Sequence, residues 1–207
     1  MSDNFLILEQ VANCKNNKIK LPDSSEVVNA LLKLEKSSKQ QKNSYSLADL
    51  VGSWNLCLIT GTKKTRKKVG IILGKGKYIP KLIRIQITYQ SEQPTSNLGQ
   101  VVNSVQIAFL QLSLTGPIKF IPQKKILAFD FTSLKVFVGG LNLYQGYFQN
   151  GLSRERSFSE KGLKDQAFFK YFLIKDNFIA ARGRGGGLAL WSRETNTKLC
   201  SIPHESC

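Results

Sequence analysis

The feature that most constrains the fold of this chain is a succession of short β-rich runs after Gly52. Turn residues separate these runs, and no helical pattern lies between them. Strands that follow one another without helices between them form antiparallel sheets. A barrel would remove the exposed edges of such a sheet. About nine candidate strands can be counted, and they are Trp54–Thr60, Val69–Leu73, Leu82–Thr88, Val101–Leu114, Ile118–Ile121, Ile126–Phe131, Leu134–Val138, Phe169–Ile174 with Phe178–Ala181, and Leu188–Trp191.

The pattern within these runs makes further predictions. Ile83, Ile85 and Ile87 alternate with polar residues, which is typical of a strand that is wet on one face. Val101–Leu114 is predicted to be one long strand that bends, and the Gly-Pro pair at 116 and 117 is predicted to break the chain before the next strand. The aromatic stretch Leu141–Gly151 lacks alternation and is predicted to be a mobile loop. The charged stretch Ser153–Asp165 is predicted to be a connection with a helical turn.

The first 50 residues have a helical pattern. Asn4–Ala12 is apolar with polar interruptions, and Asp23 to Glu26 has the spacing of a capping box ahead of an apolar stripe at Val27–Leu34. Lys36–Ser44 is predicted to be a linker, and Ser46–Asp49 one more helical turn. The resulting division is a helical region and linker at 1–45, a barrel at 46–195 and a tail at 196–207.

The charge is strongly positive and uneven. The formal net charge is +16, and residues 50–91 carry nine basic residues and no acid. Five of the nine form a predicted hairpin tip, and they are Lys63, Lys64, Arg66, Lys67 and Lys68. Such a tip is either a solvated turn or a patch that binds an anionic surface. We expect that it contacts an anionic membrane peripherally. Nucleic acid is the less favoured partner because no aromatic residues are interleaved for base stacking.

Residues suited to catalysis are scarce. His204 is the single histidine and lies in the predicted tail beside Pro203 and Glu205, which leaves no histidine for a catalytic triad or a multi-histidine metal site. Asp130 lies in a candidate strand, where it faces the lumen or pairs with Lys119, Lys124 or Lys125. We therefore expect no enzyme activity, no metal and no cofactor. The four cysteines show no disulfide pattern and are expected to be reduced thiols.

Gly52 and Trp54 form a Gly-x-Trp at the entry to the first candidate strand. In lipocalin-like barrels such a tryptophan closes one end, and an arginine from a late strand stacks on its indole by a cation–π interaction. Arg182 is the predicted partner of Trp54, and Arg184 is the alternative. The predicted fold class is mainly β, an antiparallel lipocalin-like β-barrel with an N-terminal helical region outside it or across one end.

Three segments resemble the plastid lipid-associated protein family, also called fibrillins or plastoglobulins. They are Leu50–Leu56 with the Gly-x-Trp, Gly99–Val105 with Gly99, Gln100 and Asn103, and Tyr171–Leu190 with Arg182, Gly183 and Gly186. The resemblance covers roughly residues 24–193. Because no segment has the pattern of a transit peptide, we expect a cyanobacterial-type member. The resemblance implies a protein that binds a hydrophobic molecule without catalysis.

The resemblance also implies the ligand class and the location. The ligand would be a membrane lipid, an isoprenoid quinone or a carotenoid, held non-covalently in the barrel. Because no segment resembles a signal or transit peptide, we expect a cytoplasmic protein that associates peripherally with a thylakoid or other photosynthetic membrane. Two alternatives stay open, namely a scaffold or interaction protein whose barrel its own side chains fill, and a protein on a similar barrel that handles a bilin chromophore as a lyase does.

Overall fold

The computed structural model describes residues 3–13, 20–40, 44–61 and 75–194. Two helices come first, α1 (Asp3–Asn13) and α2 (Ser24–Ser38). A third helix, α3 (Gly151–Arg156), lies between the eighth and ninth strands. The strands are β1 (Gly52–Ile59), β2 (Lys77–Tyr78), β3 (Ile83–Ser91), β4 (Leu98–Ile107), β5 (Leu110–Ile121), β6 (Ile126–Phe129), β7 (Ser133–Val138), β8 (Leu141–Tyr147), β9 (Ala167–Ile174), β10 (Phe178–Gly183) and β11 (Leu188–Arg193).

Eight of these strands close into an antiparallel barrel. The order around it is β1, β3, β4, β5, β6, β9, β10, β11 and back to β1, and the β4–β5 pairing completes the ring. Every neighbouring pair is antiparallel. The predicted fold class, an antiparallel β-barrel with N-terminal helices, is confirmed.

The barrel continues on one side as an open sheet. β5 has twelve residues, and its two halves pair with different strands on the side away from β4. Residues 118–121 pair with β6 inside the ring, whereas residues 110–115 pair with β7, which in turn pairs with β8. β3, β4, β5, β7 and β8 therefore form an extension that projects beyond the ring.

The loops of an antiparallel barrel alternate between two ends, which we name here. The closed end holds the segment before β1 and the turns at 92–97, 122–125 and 175–177. The distal end holds the turns at 108–109, 139–140 and 184–187, together with both described flanks of the segment 62–74, Gly61 and Lys75. The sheet extension projects at the distal end because β3, β4, β5 and β7 all continue there.

The two N-terminal helices, α1 and α2, pack on the outside of the barrel. Leu8 of α1 and Leu31 of α2 are fully buried against the outward side chains of β1, β10 and β11, which include Phe178 and Leu190. Asp23 accepts a hydrogen bond from the Ser25 amide at 2.8 Å, so it caps α2 as predicted. The Asp23 cap thus begins α2, and burial of the apolar face of α2 holds the helix on the barrel.

The predicted turn before β1 is also present. Ala48–Leu50 forms a short 3₁₀ helix, and the Asp49 carboxylate accepts hydrogen bonds from the amide (2.8 Å) and the hydroxyl (3.0 Å) of Ser46. Leu47 and Leu50 are buried in the barrel core. This segment closes one end of the barrel, while α1 and α2 cover its wall.

Two strand predictions were wrong. Val101–Leu114 is not one bent strand but a hairpin, which turns at Ala108 and Phe109 between β4 and β5. Ala108 has a φ of 51°, a conformation that usually favours glycine or asparagine, so the turn carries no sequence signal. The Gly-Pro pair at 116 and 117 does not break the chain either, since β5 continues through it.

Gly116 is required by a close approach of two backbones. A Cβ at Gly116 would overlap the carbonyl oxygen of Asp130 on the neighbouring chain segment. Pro117 still takes part in the hydrogen bonding between strands, because its carbonyl accepts a hydrogen bond from the Asp130 amide at 3.2 Å. The two residues therefore mark where β6 gives way to β7 alongside one uninterrupted β5.

The stretch predicted to be a mobile loop, Leu141–Gly151, contains the strand β8 and the start of α3. Backbone pairing with β7 orders β8 although its side chains are exposed, and a pattern of burial could not reveal it. The charged stretch after it does contain helical turns, α3 and Leu163–Asp165, as predicted. The candidate strand Val69–Leu73 lies outside the described residues.

We expect Gly116→Ala to destabilise the barrel by about 1–3 kcal/mol, because the new methyl group must push two paired backbones apart. Gly183→Ala is the matched control, since the nearest atom to its Cβ position, on Phe169, is 3.7 Å away. Chemical denaturation monitored by circular dichroism measures both variants. Equal midpoints for wild type and Gly116→Ala would contradict the close approach.

Candidate functional site

Large side chains fill the barrel from its closed end. Trp54, Tyr89, Phe120 and Tyr171 are all less than 2% exposed. Phe169 contacts Phe129 and Trp191 with ring centroids 5.0 and 5.3 Å apart. Eight strands enclose an interior that side chains can fill. This part of the barrel is a packed core.

The end-closing pair differs from the predicted one. The guanidinium of Arg193 lies 4.1 Å from the centroid of the Trp54 ring, and the Trp54 indole donates a hydrogen bond to the Leu50 carbonyl at 2.7 Å. Arg193 pairs directly with Trp54 between β1 and β11, whereas Arg182 pairs with β9 and with the opposite end of β11. The prediction of Arg182, and of Arg184 as the alternative, was wrong because the strand registers bring Arg193 to the indole.

Gly52 belongs to the same cluster. Its φ is +122°, and a Cβ on it would lie 2.7 Å from a terminal nitrogen of Arg193. Arg193 also donates hydrogen bonds to the carbonyls of Val51 (3.1 Å) and Asp176. The Gly-x-Trp spacing therefore makes room for an arginine that ties the start of β1 to the β9–β10 turn.

Arg182 and Arg184 have other roles. Arg182 lies on the outside of the barrel and forms an ion pair with Glu35 of α2, in which its Nε donates to a carboxylate oxygen at 2.6 Å. This hydrogen bond raises the pKa of Arg182 above its ordinary value. Arg184 donates to the carbonyls of Gln166 (2.8 Å) and Lys164. The two arginines hold α2 and the segment before β9 to the barrel.

The other residues of the resemblance are spread over two regions. Gly99 is buried in β4, where a Cβ would overlap the Gln90 carbonyl, and Gln100 is exposed. Gly183 ends β10 and Gly186 lies in the β10–β11 turn at the distal end. Asn103 is half-buried and pairs with Ile87 and Leu114, so it shares the inward face of the sheet. Asn103 is the member of this set that lies on the surface described next.

An apolar wall runs from the barrel interior along the sheet extension. In β3, β4, β5 and β7 the residues of the inward face align in rows across the sheet, and beyond Asn103 they are aliphatic. We define the apolar wall as Ile83, Ile85, Val105, Ile107, Leu110, Leu112, Leu114, Leu134, Val136 and Val138. The exposed fractions of Ile107, Leu110 and Leu112 are 48%, 38% and 39%. The other seven residues of the wall are half-buried, so apolar side chains are open to solvent chiefly along β4 and β5.

On the extension, the opposite face of the same strands is polar except at Phe137. Gln86, Ser104, Ser113 and Lys135 align in one row across β3, β4, β5 and β7. This contrast means that the extension is a two-faced sheet whose apolar face continues the lining of the barrel. Sequence reasoning found the alternation in β3 alone, and the hairpin at Ala108, which it missed, is what places β4 and β5 in register.

The partner of Asp130 differs from those predicted. Asp130 pairs with none of the lysines proposed for it, but with Arg154 of α3, whose Nε lies 3.1 Å from a carboxylate oxygen. Lys63, Lys64, Arg66, Lys67 and Lys68 lie outside the described residues. No helix within the described ranges is long and apolar enough to span a bilayer.

A buried pair of phenols lies below the wall. The hydroxyl groups of Tyr89 and Tyr171 are 2.7 Å apart, and both side chains are fully buried. Burial raises the pKa of each phenol well above its ordinary value. A single hydrogen bond between two hydroxyls uses one of their two hydrogens, so the pair also offers a donor inside the barrel.

Comparison with known proteins gives few matches. No protein-family model and no curated protein matches the chain. Among solved structures, a redesigned β-barrel is similar with a TM-score of 0.31 and 12% identity, over 74% of this chain and all 100% of that one. EF1p2_mFAP2b bound to DFHBI is similar with a TM-score of 0.32 and 10% identity, over 72% and 100% of the two chains.

The corrected end-closing pair can be tested with a double-mutant cycle. We expect Trp54→Ala to cost about 3–5 kcal/mol because the indole is fully buried. Its coupling energy with Arg193→Ala should be about 0.5–2 kcal/mol, the range of a cation–π contact. Urea denaturation of the two single variants and the double variant measures it. The control cycle uses Arg182→Ala, and a larger coupling there than with Arg193 would contradict the assignment.

The buried tyrosine pair predicts how stability depends on pH. Unfolded tyrosines ionise near pH 10, whereas the folded pair stays neutral, so above pH 10 the folded state binds more protons than the unfolded state. Stability therefore falls as pH rises, by about 1.4 kcal/mol per pH unit for each tyrosine. Tyr89→Phe should halve the slope due to the pair in denaturation curves across alkaline pH. An unchanged slope would mean that the phenols already ionise in the folded protein.

Proposed function

We propose that this protein binds a hydrophobic small molecule against the apolar wall, without catalysis. The β-barrel fold is compatible with small-molecule binding, and the exposure of Ile107, Leu110 and Leu112 on the wall is the observation that carries the proposal. Contiguous exposed apolar surface on a soluble domain marks a binding site. The packed core leaves the distal end as the place for a ligand.

The shape and chemistry of the wall fit an elongated apolar ligand. Rows of aliphatic side chains across four strands offer a long apolar contact surface that requires no hydrogen bonds from the ligand. Asn103 provides an amide at the inner end of the wall, where a carbonyl or hydroxyl of the ligand finds a hydrogen-bonding partner. These features support a lipid, an isoprenoid quinone or a carotenoid, the classes that the family resemblance implies.

The proposal includes peripheral association with an anionic membrane, from which such a ligand comes. The net charge of +16 favours anionic headgroups, and the flanks of the basic segment 62–74 lie at the distal end with the wall. A thylakoid or other photosynthetic membrane is the location that the resemblance suggests. Nucleic acid remains the less favoured partner.

A second candidate function rests on the packed core. Because Trp54, Tyr89, Phe120 and Tyr171 fill the barrel near its closed end, a scaffold or interaction protein would have the same interior. The two candidates differ in what the apolar wall meets. A scaffold presents it to a protein, whereas a carrier covers it with an extractable small molecule.

Native mass spectrometry with lipid extraction tests the proposal on one matched pair of variants. Leu112 and Gln111 are neighbours in β5 and lie on opposite faces of the sheet. We expect wild type and Gln111→Glu to retain a bound apolar molecule, and Leu112→Glu to retain about tenfold less or worse, because the ligand loses a buried apolar contact and meets a charge.

Circular dichroism checks that both variants fold. Protein from more than one expression host should carry a ligand. Wild type that carries no lipid, quinone or pigment from any host, or equal retention in the two variants, would contradict the proposal and favour the scaffold.

A further inference from the structure

Two turns at the distal end form one structural unit. The Gly139 amide donates a hydrogen bond to the Phe109 carbonyl at 2.8 Å, which joins the β4–β5 turn to the β7–β8 turn. We call Ala108, Phe109, Gly139, Gly140 and Leu141 the distal tip. Because the hydrogen bond joins the two turns, these five residues form one unit at the end of the sheet extension.

The distal tip is apolar and exposed. Phe109 and Leu141 are each 71% exposed. Apart from the glycine itself and its two chain neighbours, no atom of the described residues lies within 4 Å of the position that a Cβ would take on Gly139 or Gly140. Such exposure of a phenylalanine and a leucine at the most protruding point of a sheet leaves their apolar surface in water, which is unfavourable unless another phase or a partner covers it.

The strands that carry the tip are free of charge over long stretches. Residues 93–118 and 136–153 contain no Asp, Glu, Lys or Arg. Charged side chains are costly in the apolar part of a bilayer, and amphipathic surfaces therefore keep them out of the inserted part. Elsewhere the chain is rich in basic residues, with a net charge of +16. The basic residues of the protein are complementary to anionic lipid headgroups, and the uncharged apolar tip is complementary to the acyl chains beneath them.

We infer that the distal tip inserts into the interfacial region of an anionic lipid membrane, with Phe109 and Leu141 entering the acyl chains. This inference rests on the proposed membrane association and specifies its contact. The apolar wall begins at Ile107 and Leu110, directly behind the tip, so an inserted tip joins the wall to the acyl phase. A hydrophobic ligand then moves between membrane and wall without crossing water.

Fluorescence of engineered tryptophans tests the insertion in the full chain. In the Phe109→Trp variant we expect a blue shift of emission, and quenching by brominated phosphatidylcholine, when vesicles of phosphatidylcholine and phosphatidylglycerol are added. Leu98→Trp is the matched control, because Leu98 is 36% exposed but begins β4 at the closed end. It should show neither effect. The native Trp54 and Trp191 are buried and give a constant background.

Vesicle flotation adds a binding readout. The double variant Phe109→Ser with Leu141→Ser should bind the anionic vesicles about tenfold more weakly than wild type or worse, because two apolar side chains no longer enter the acyl phase. A second variant changes five basic residues to Ser, namely Lys63, Lys64, Arg66, Lys67 and Lys68. It should bind anionic vesicles with less preference over neutral ones. In the protein that still binds, the fluorescence of Phe109→Trp should remain quenched.

The outcomes separate this inference from the function on which it rests. Wild type that floats while the Phe109→Trp variant is not quenched overturns the tip insertion alone. Wild type that does not float with anionic vesicles overturns both the insertion and the membrane association. If light scattering shows a dimer that the double Ser variant dissociates, the tip is an interface between two copies of this chain and the inference is wrong.

Discussion

The pairing of β5 is the constraint on which the rest of the structure depends. Its twelve residues pair with β4 along one edge and with both β6 and β7 along the other. The pairing with β6 closes the ring, and the pairing with β7 extends the sheet beyond it. Gly116 sits at the division, where the backbone of Asp130 comes too close for any side chain. One strand thereby couples a packed barrel to an open surface.

This coupling explains why the two halves of the protein have opposite packing. Near the closed end, all eight strands face one another across a narrow interior, and aromatic side chains from Trp54 to Trp191 exclude solvent. On the extension, the same inward face lies beyond the ring of eight strands, and its residues Ile107, Leu110 and Leu112 stay exposed. The closed end of this continuous face therefore carries stability, and its distal end carries the binding that we propose.

Much of the fold could be predicted from local patterns. The Asp23 cap, the helical stripe of α2 and the turn at Ser46 to Asp49 follow from contacts within a few residues, and all are present. Alternation predicted β3, and the absence of helices between strands predicted the antiparallel barrel. The β4–β5 hairpin and β8 were missed because the first turns at an alanine without a turn signal, and the second has no buried face.

The sequence by itself determined the class of fold, the presence of Trp54 at a barrel end and the strongly basic, histidine-poor surface, since these depend on residue types and short spacings. Only the tertiary structure decided which arginine meets Trp54, where the apolar wall lies and that two distant turns form one tip. These depend on strand register. A shift of one residue reverses the faces of a strand, and register is set by the sum of all pairings and not by any single segment.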